Sequence, residues 1–219
     1  MDLFLIRHAQ SSNNAGPQEE RVDDPGLTEL GHRQARKLGE WIPKLELTRL
    51  ITSPFLRCLQ TTECVYESTG LLPEVWVDLH EQGGCLSGYD HATTKGETGM
   101  TNGDFSRVYP DYIIPDEIDQ DGWWKRKSLE TLDQAQERAK RVRERTLQEF
   151  ASTEERIAFI SHGDFKRILV GTLVGSLDNG HKWVANCANT ALTEFRINEE
   201  SIQLCRFNCV PHLSDEMVS

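Results

Sequence analysis

Three short apolar runs set the terms for this chain, because each stops at a polar or charged pair from which a helix-forming segment follows. They are "LFLI" at 3–6, which meets Arg7-His8, "RLIT" at 49–52, which meets Ser53-Pro54, and "IAFIS" at 157–161, which meets His162-Gly163-Asp164. Apolar runs of this length with polar bounds read as strands covered on both faces, the environment of a parallel sheet flanked by helices. Open α/β sheets place their ligands beyond the carboxyl ends of the strands. Arg7 and His8 are therefore expected at the floor of a site, and Thr52-Ser53 and Ser161-His162 beside them.

The segments between these runs complete an alternation of strands and helices. In "GLTELGHRQARKLGEWIPKL" the residues Leu30, Ala35, Leu38, Trp41, Ile42 and Leu45 fall near one helical face, with Thr28 as the cap and Glu29 in the first turn. Ser53 and Pro54 predict the N-cap and first position of a second helix, and Gly70 its end. "EVWVDLHE" predicts a third strand that delivers Glu81 at its end. Residues 131–150 are strongly helical, with Thr131-x-x-Gln134 as a capping box. "TALTEFRI" and "SIQLCRFN" predict a closing hairpin that turns at Asn198-Glu199-Glu200. The expected fold is a three-layer α/β/α sandwich around a mostly parallel central sheet. Residues 83–128 break the rhythm, rich in glycine, proline and aromatics and too long for an ordinary connection. They are expected to form a cap or lid inserted into what otherwise reads as a single domain over residues 1–219.

Composition narrows the partners. A chain of 219 residues is long enough for a sizeable core, and its formal net charge of −11 argues against a general nucleic-acid or anionic-membrane surface. No apolar run approaches the ~20 residues that span a bilayer, and residues 1–30 show no leader pattern. A cytoplasmic protein with neither nucleic acid nor membrane as partner is expected, and a homodimer is left open. Cys58, Cys64, Cys85, Cys187, Cys205 and Cys209 are scattered without a C-x-x-C pair, which suits reduced thiols better than a disulfide framework. Cys205-x₃-Cys209 is too little for a zinc site.

Any anionic substrate of so acidic a chain needs a local cationic cluster. Arg7, Arg57, His8 and His162 supply one suited to a phosphoryl group, because forked guanidinium donors match its oxygens and spread its charge, and helix N-termini add free N–H groups. A neutral imidazole nitrogen can attack phosphorus while a carboxyl group protonates the leaving oxygen and later activates water. Glu81 is the best-placed carboxyl, although Asp78, His80 and Asp90 lie close enough in sequence to exchange roles with it.

"LIRHAQSSNN", "GLTELGHRQARKLGEW", "ITSPFLRCLQTTE", "LHEQGG" and "ISHGDF", in that order, together resemble the histidine phosphatase superfamily over nearly the whole chain. The resemblance implies an α/β sandwich, a phosphohistidine intermediate on His8, and neither metal nor cofactor. It implies that Arg7, Arg57 and His162, with its neighbour Gly163, hold phosphate, that Asn14 contacts it, and that Glu81 donates the proton. Asn14 also has a plainer reading, as a residue that stabilises its own turn. Two departures matter. Ala9 stands where glycine is commoner, which restricts the backbone slightly. Glu81-Gln82-Gly83-Gly84-Cys85 replaces the E-R-H-Y-G of cofactor-dependent mutases, so the chain looks more like the phosphatase branch. Lys125 or Arg126 of the lid is expected to meet a second anionic group. The expected activity is metal-independent hydrolysis of small phosphorylated metabolites, such as sugar phosphates or phosphoglycerate-like acids. A phosphoglycerate-type mutase and a catalytically silent phosphate-binding protein are the alternatives.

Overall fold

The computed structural model describes residues 1–88, 93–175 and 185–219. In chain order the strands are β1 (Asp2–Arg7), β2 (Arg49–Thr52), β3 (Pro73–Val75), the short pair β4 (Leu86–Ser87) and β5 (Lys95–Gly96), β6 (Arg156–Ser161), β7 (Leu192–Ile197) and β8 (Ile202–Cys209). The helices are α1 (Ser12–Ala15), α2 (Glu29–Trp41), α3 (Leu56–Thr69), α4 (Asn102–Val108), α5 (Leu132–Phe150) and α6 (Gly163–Leu173).

Side chains that alternate along the strands feed two cores. Leu3 and Leu5 of β1, Ile51 of β2 and Ile157 and Phe159 of β6 join Ala135, Ala139 and Val142 of α5 and Phe165, Ile168 and Leu169 of α6. Phe4, Ile6, Leu50, Ala158 and Ile160 point the other way, to Leu38, Cys58 and Val65 of α2 and α3. The period of two that turns successive residues to opposite faces thus yields a sheet covered by two helices on each side, the expected three layers. Removing each large apolar side chain from water contributes about 1.5–3 kcal/mol.

The main sheet runs β3-β2-β6-β1-β7-β8. The first four strands are parallel, and β7 and β8 close the far edge as an antiparallel hairpin. Asn198 makes that hairpin's turn, its Oδ1 accepting from the amides of Glu200 and Ser201 at 2.9 and 2.8 Å. Because Arg7 pairs with Ser161 and Thr52 with Ile160, the carboxyl ends of β1, β6 and β2 stand abreast. His8, His162 and Ser53 follow them in one row.

Caps fall largely where the residue types place them. Thr28 Oγ1 accepts from the Gly31 amide at 3.0 Å, Thr131 and Gln134 form a reciprocal box, and Gly70 ends α3 at a φ of 68°. Three details differ from expectation. The α2 helix ends at Trp41, and Ile42–Leu45 continue it as a 3₁₀ turn, since Pro43 has no N–H to extend the α pattern; Ile42 and Leu45 stay buried. The α3 helix begins at Leu56 with Phe55 as its N-cap, rather than at Ser53-Pro54, because the Ser53 hydroxyl is taken by His162. The Asp24 carboxylate instead accepts from the Leu56 amide at 2.9 Å. The third strand stops at Val75, and Val77–Leu79 coil into a 3₁₀ turn, so Glu81 rides on a turn and not on a strand end.

Within 83–128, the described residues form the β4–β5 pair, α4 and a set of turns around a third core. That core contains Phe105, Tyr109, Tyr112, Ile118, Trp123 and Trp124 and rests on Phe55 and Leu59 of the α3 start, with Val75 and Val77. Ile113 also bridges the edge strand β3, its amide donating to Pro73 O at 2.9 Å and its carbonyl accepting from Val75 at 2.9 Å. Gly84 permits a close approach of the Trp124 ring to the backbone. Its φ is 97°, and a Cβ there would stand 2.1 Å from the Trp124 ring.

Candidate active site

His8 extends from the end of β1 and is 2 % exposed. Its Nδ1 lies 2.7 Å from the carbonyl of Ala9 and its Nε2 3.2 Å from Arg57 Nε. A carbonyl only accepts and a guanidinium only donates, so the two partners fix the tautomer: Nδ1 carries the hydrogen and Nε2 the lone pair. Burial first, then the charges of Arg57 and Arg7, hold the imidazole well below its ordinary range, and the ring is neutral. Its loop is pinned by Asn189 Nδ2, which donates to His8 O at 2.9 Å, and by Thr61 Oγ1, which accepts from the Ala9 amide at 3.1 Å.

His162 follows β6 with its ring centroid 5.2 Å from that of His8. Its Nδ1 accepts from Arg57 Nη2 at 3.0 Å, which leaves Nε2–H to donate to Ser53 Oγ at 2.7 Å. Burial, then Arg57 and His8, keep this imidazole also well below its ordinary range. One guanidinium therefore addresses both imidazoles. Arg57 is placed for this by the Phe55-Leu56 start of α3, and its guanidinium lies 4.1 Å over the Phe55 ring.

Arg7 enters from the other side. Its Nη1 donates to Cys187 O at 2.5 Å, and its Nε is buried without a hydrogen-bond partner among the described residues. A buried donor left open is costly unless an anion or water completes it. Gly163 makes room for this guanidinium, since a Cβ there would stand 3.2 Å from Arg7 Nε.

Glu81 meets the N-terminus of α6. Its Oε1 accepts from the Phe165 and Gln82 amides, both at 2.9 Å, and its Oε2 lies 3.5 Å from the Asp164 amide. Burial and the neighbouring Asp164 raise the carboxyl, against the lowering effects of Arg57 and the amides. Its rivals are turned elsewhere: Asp78 faces Arg141 at 3.6 Å and His80 is buried beneath Trp123 and Trp124, while Asp90 lies outside the described residues.

Two recesses open onto Arg7, Arg57 and Glu81, with His8 and His162 buried behind these side chains. A cleft of about 480 Å³ is lined by Arg57, Glu81, Phe55, Gln82, Asn13 and Arg21, and a smaller one of about 210 Å³ by Arg7, Asn14, Glu81, Gly163, Arg21 and Cys187. Asn14 is exposed at the rim, with Oδ1 accepting from the Ser11 amide and hydroxyl at 3.2 and 3.0 Å. It is thus both a turn stabiliser and a lining residue. Arg126 is not brought in. It holds a left-handed conformation at φ 56° with its amide on Glu97 O, and its exposed side chain lines neither recess. Lys125 pairs with Asp119 at 2.6 Å.

Sequence reading missed Arg21 and Asp24. Arg21 lines both recesses, and its guanidinium makes no hydrogen bond or ion pair with any described residue. It sits in a polar loop with no periodic signal. Asp24, pushed up to about 6 by burial against the pull of Arg57, caps α3 from a distant loop, and only "DDPG" hinted at a turn there. Among the described residues no group of three or more histidine, cysteine, aspartate or glutamate side chains is arranged to hold a metal ion, and no helix is long and apolar enough to cross a membrane. All six cysteines are free thiols.

Known proteins share this chain's fold and stretches of its sequence. The chain is 23 % identical over 212 residues to an uncharacterized phosphatase, PhoE, of Bacillus subtilis, covering 97 % of this chain and 96 % of that one. It is 34 % identical over 70 residues to a probable phosphoglycerate mutase, GpmB, of Klebsiella pneumoniae, a match to 32 % of this chain and 33 % of the other. Among solved structures, a putative α-ribazole-5'-P phosphatase of Escherichia coli superposes with a TM-score of 0.69 at 18 % identity, over 96 % of this chain and 98 % of the other. A mycobacterial glucosyl-3-phosphoglycerate phosphatase superposes at 0.65 and 20 % identity, over 95 % and 98 %. The model of the histidine phosphatase superfamily, branch 1, matches residues 3–210, and this chain belongs to that family.

Proposed function

We propose that the protein is a phosphomonoesterase of small phosphorylated metabolites that works through a phosphohistidine on His8. The observation that carries this reading is the tautomer: a neutral imidazole whose Nε2 holds the lone pair and, among the described residues, accepts only from Arg57 Nε at 3.2 Å, a donor that can pass to a phosphoryl oxygen, in the row where β1, β2 and β6 end. The Nε2 lone pair attacks phosphorus, the ester P–O bond breaks, and the leaving oxygen takes the proton of Glu81. Arg7, whose Nε–H is uncommitted, and Arg57 hold the charge that develops on the phosphoryl oxygens, while His162 and Ser53 fix Arg57 from behind. Water then attacks the phosphohistidine, Glu81 takes its proton, and breakage of the P–N bond releases inorganic phosphate. The forked cations carry the charge, so no metal is required. Asn14 closes the rim of the phosphate site, and Gly163 leaves Arg7 its place. The larger cleft suits an organic group of metabolite size, such as a sugar phosphate or a phosphoglycerate-like acid. Arg21 is placed to meet a second anionic group there. The protein is read as a single domain acting in the cytoplasm.

The test is phosphate release in chelator across a panel of small esters, beside His8→Ala. Release by the wild type alone bears the reading out, and release by both proteins overturns it. The partial similarity to a probable mutase favours a second reading, in which the phosphoryl group passes to another hydroxyl. Transfer between positions of one substrate without net phosphate release would favour that reading.

A further inference from the structure

The most heavily bonded charged group among the described residues lies behind the catalytic row. Arg138 of α5 is 2 % exposed, and its Nε and Nη2 grip both oxygens of Glu130 at 2.7 and 2.6 Å. Its Nη1 donates to the carbonyls of Asp78 and His80, at 2.6 and 3.0 Å. The guanidinium also lies 3.9 Å over the ring of Phe165, whose amide holds Glu81 Oε1. Nothing in the phosphoryl-transfer chemistry needs this pair, and a buried ion pair is weak evidence for stability alone.

Its surroundings point to one task. Along the turn that carries Glu81, four consecutive carbonyls have donors: Asp78 and His80 from Arg138, Leu79 from Ser161 Oγ at 2.8 Å, and Glu81 from His80 Nδ1 at 2.8 Å. The Glu130 amide closes the same turn by donating to Gly83 O at 3.0 Å. His80 is buried against Trp123 and Trp124, and burial and Arg138 hold it well below its ordinary range, so it donates as a neutral ring. We propose that the buried Arg138–Glu130 pair, with His80, is the positioning device for Glu81, holding the turn behind the carboxyl and the α6 residue in front of it. The assignment rests on Glu81 being the proton donor. Arg138 touches no substrate and is a positioning residue.

Two variants test this. Arg138→Lys keeps a charge opposite Glu130 but loses the planar fork that reaches two carbonyls. Arg138→Met with Glu130→Met removes both charges and leaves neither buried alone. An alkyl ester such as glycerol phosphate needs its leaving oxygen protonated, whereas p-nitrophenyl phosphate does not. Since kcat/KM reports the steps up to departure of the leaving group, it is expected to fall about tenfold or more on glycerol phosphate and less than about threefold on p-nitrophenyl phosphate. An equal fall on both esters, or none on either, overturns the proposal. Amide exchange gives a readout that does not depend on turnover: the Gln82 and Phe165 amides should exchange at least tenfold faster while those of β1 and β6 hold. Unchanged exchange at both amides also overturns it. Wild type that releases no phosphate from either ester would overturn the phosphatase reading alone, and the exchange result would still decide this one.

Discussion

Arg7, His8, Ser53 and His162 stand within a step of the ends of parallel strands, whereas Phe105, Trp123, Trp124 and the turns of 93–128 are held above them by ring packing. The two constructions differ in what sets position. Strand ends are fixed by a ladder of backbone hydrogen bonds whose register brings Arg7 level with Ser161 and Thr52 level with Ile160. The upper layer depends on contacts between particular rings, such as Phe55 with Trp123 at 4.8 Å. Phe55 belongs to both, since it also meets His162 at 4.9 Å and underlies Arg57. A ladder tolerates most side-chain changes, and ring packing registers each one.

The largest effects should therefore fall on the floor. His8→Ala removes the proposed nucleophile and is expected to lower kcat/KM about 10³-fold or more on every ester, read by phosphate release. Next comes the turn that joins the two layers. Glu81→Gln should lower kcat/KM about 10²-fold on alkyl esters, and far less on aryl esters, because only poor leaving groups need its proton. The pH profile sharpens this. A raised Glu81 keeps its proton above the usual carboxylate range, so activity falls as pH rises through its titration. A depressed His8 stays neutral well below its own ordinary range, so the acid limb appears only at low pH. The maximum of kcat/KM is expected on the acid side of neutrality, and Glu81→Gln should abolish the alkaline limb. A maximum on the alkaline side would break the assignment of the two groups.

The same contrast explains what could be read in advance. Apolar runs ending in Arg7-His8, Thr52-Ser53 and Ser161-His162 carry their own placement, because a parallel strand's exit is a property of the strand. The layers, the closing hairpin and the caps at Thr28, Thr131 and Gly70 were legible for the same local reason. The local pattern at Ser53 is that of a cap, yet a histidine 109 positions away claims its hydroxyl. "EVWVDLHE" has a strand's composition, yet the carbonyls of Asp78, Leu79 and His80 are taken by Arg138 and Ser161, which no local pattern announces. Asp24, Arg21 and the Arg138–Glu130 pair are long-range partners of this kind.

The smallest expected effects separate two cations that composition alone cannot rank. "WWKRK" is the denser basic stretch, and a charge beside paired aromatics invites a role in holding a second anionic group. The fold buries the two tryptophans and turns the cations outward: Lys125 and Arg126 both adopt positive φ, Lys125 is spent on Asp119, and Arg126, its amide on Glu97 O, lines neither recess. Arg21 comes from an unremarkable loop, yet it borders both recesses, and the next residue is clasped by Asn13 through Nδ2 to Val22 O at 2.7 Å and Val22 N to Oδ1 at 3.1 Å. A guanidinium whose backbone is held in place loses less freedom on binding than one on a free loop. Arg21→Met should therefore raise KM about tenfold for esters that also carry a carboxylate and leave plain monoesters within about twofold. Arg126→Ala should move neither class by more than about twofold. If Arg126→Ala instead discriminates between the two ester classes and Arg21→Met does not, the cap reads the substrate and the floor serves only its phosphate. The division of labour between the layers would then be the reverse of the one drawn from the recesses.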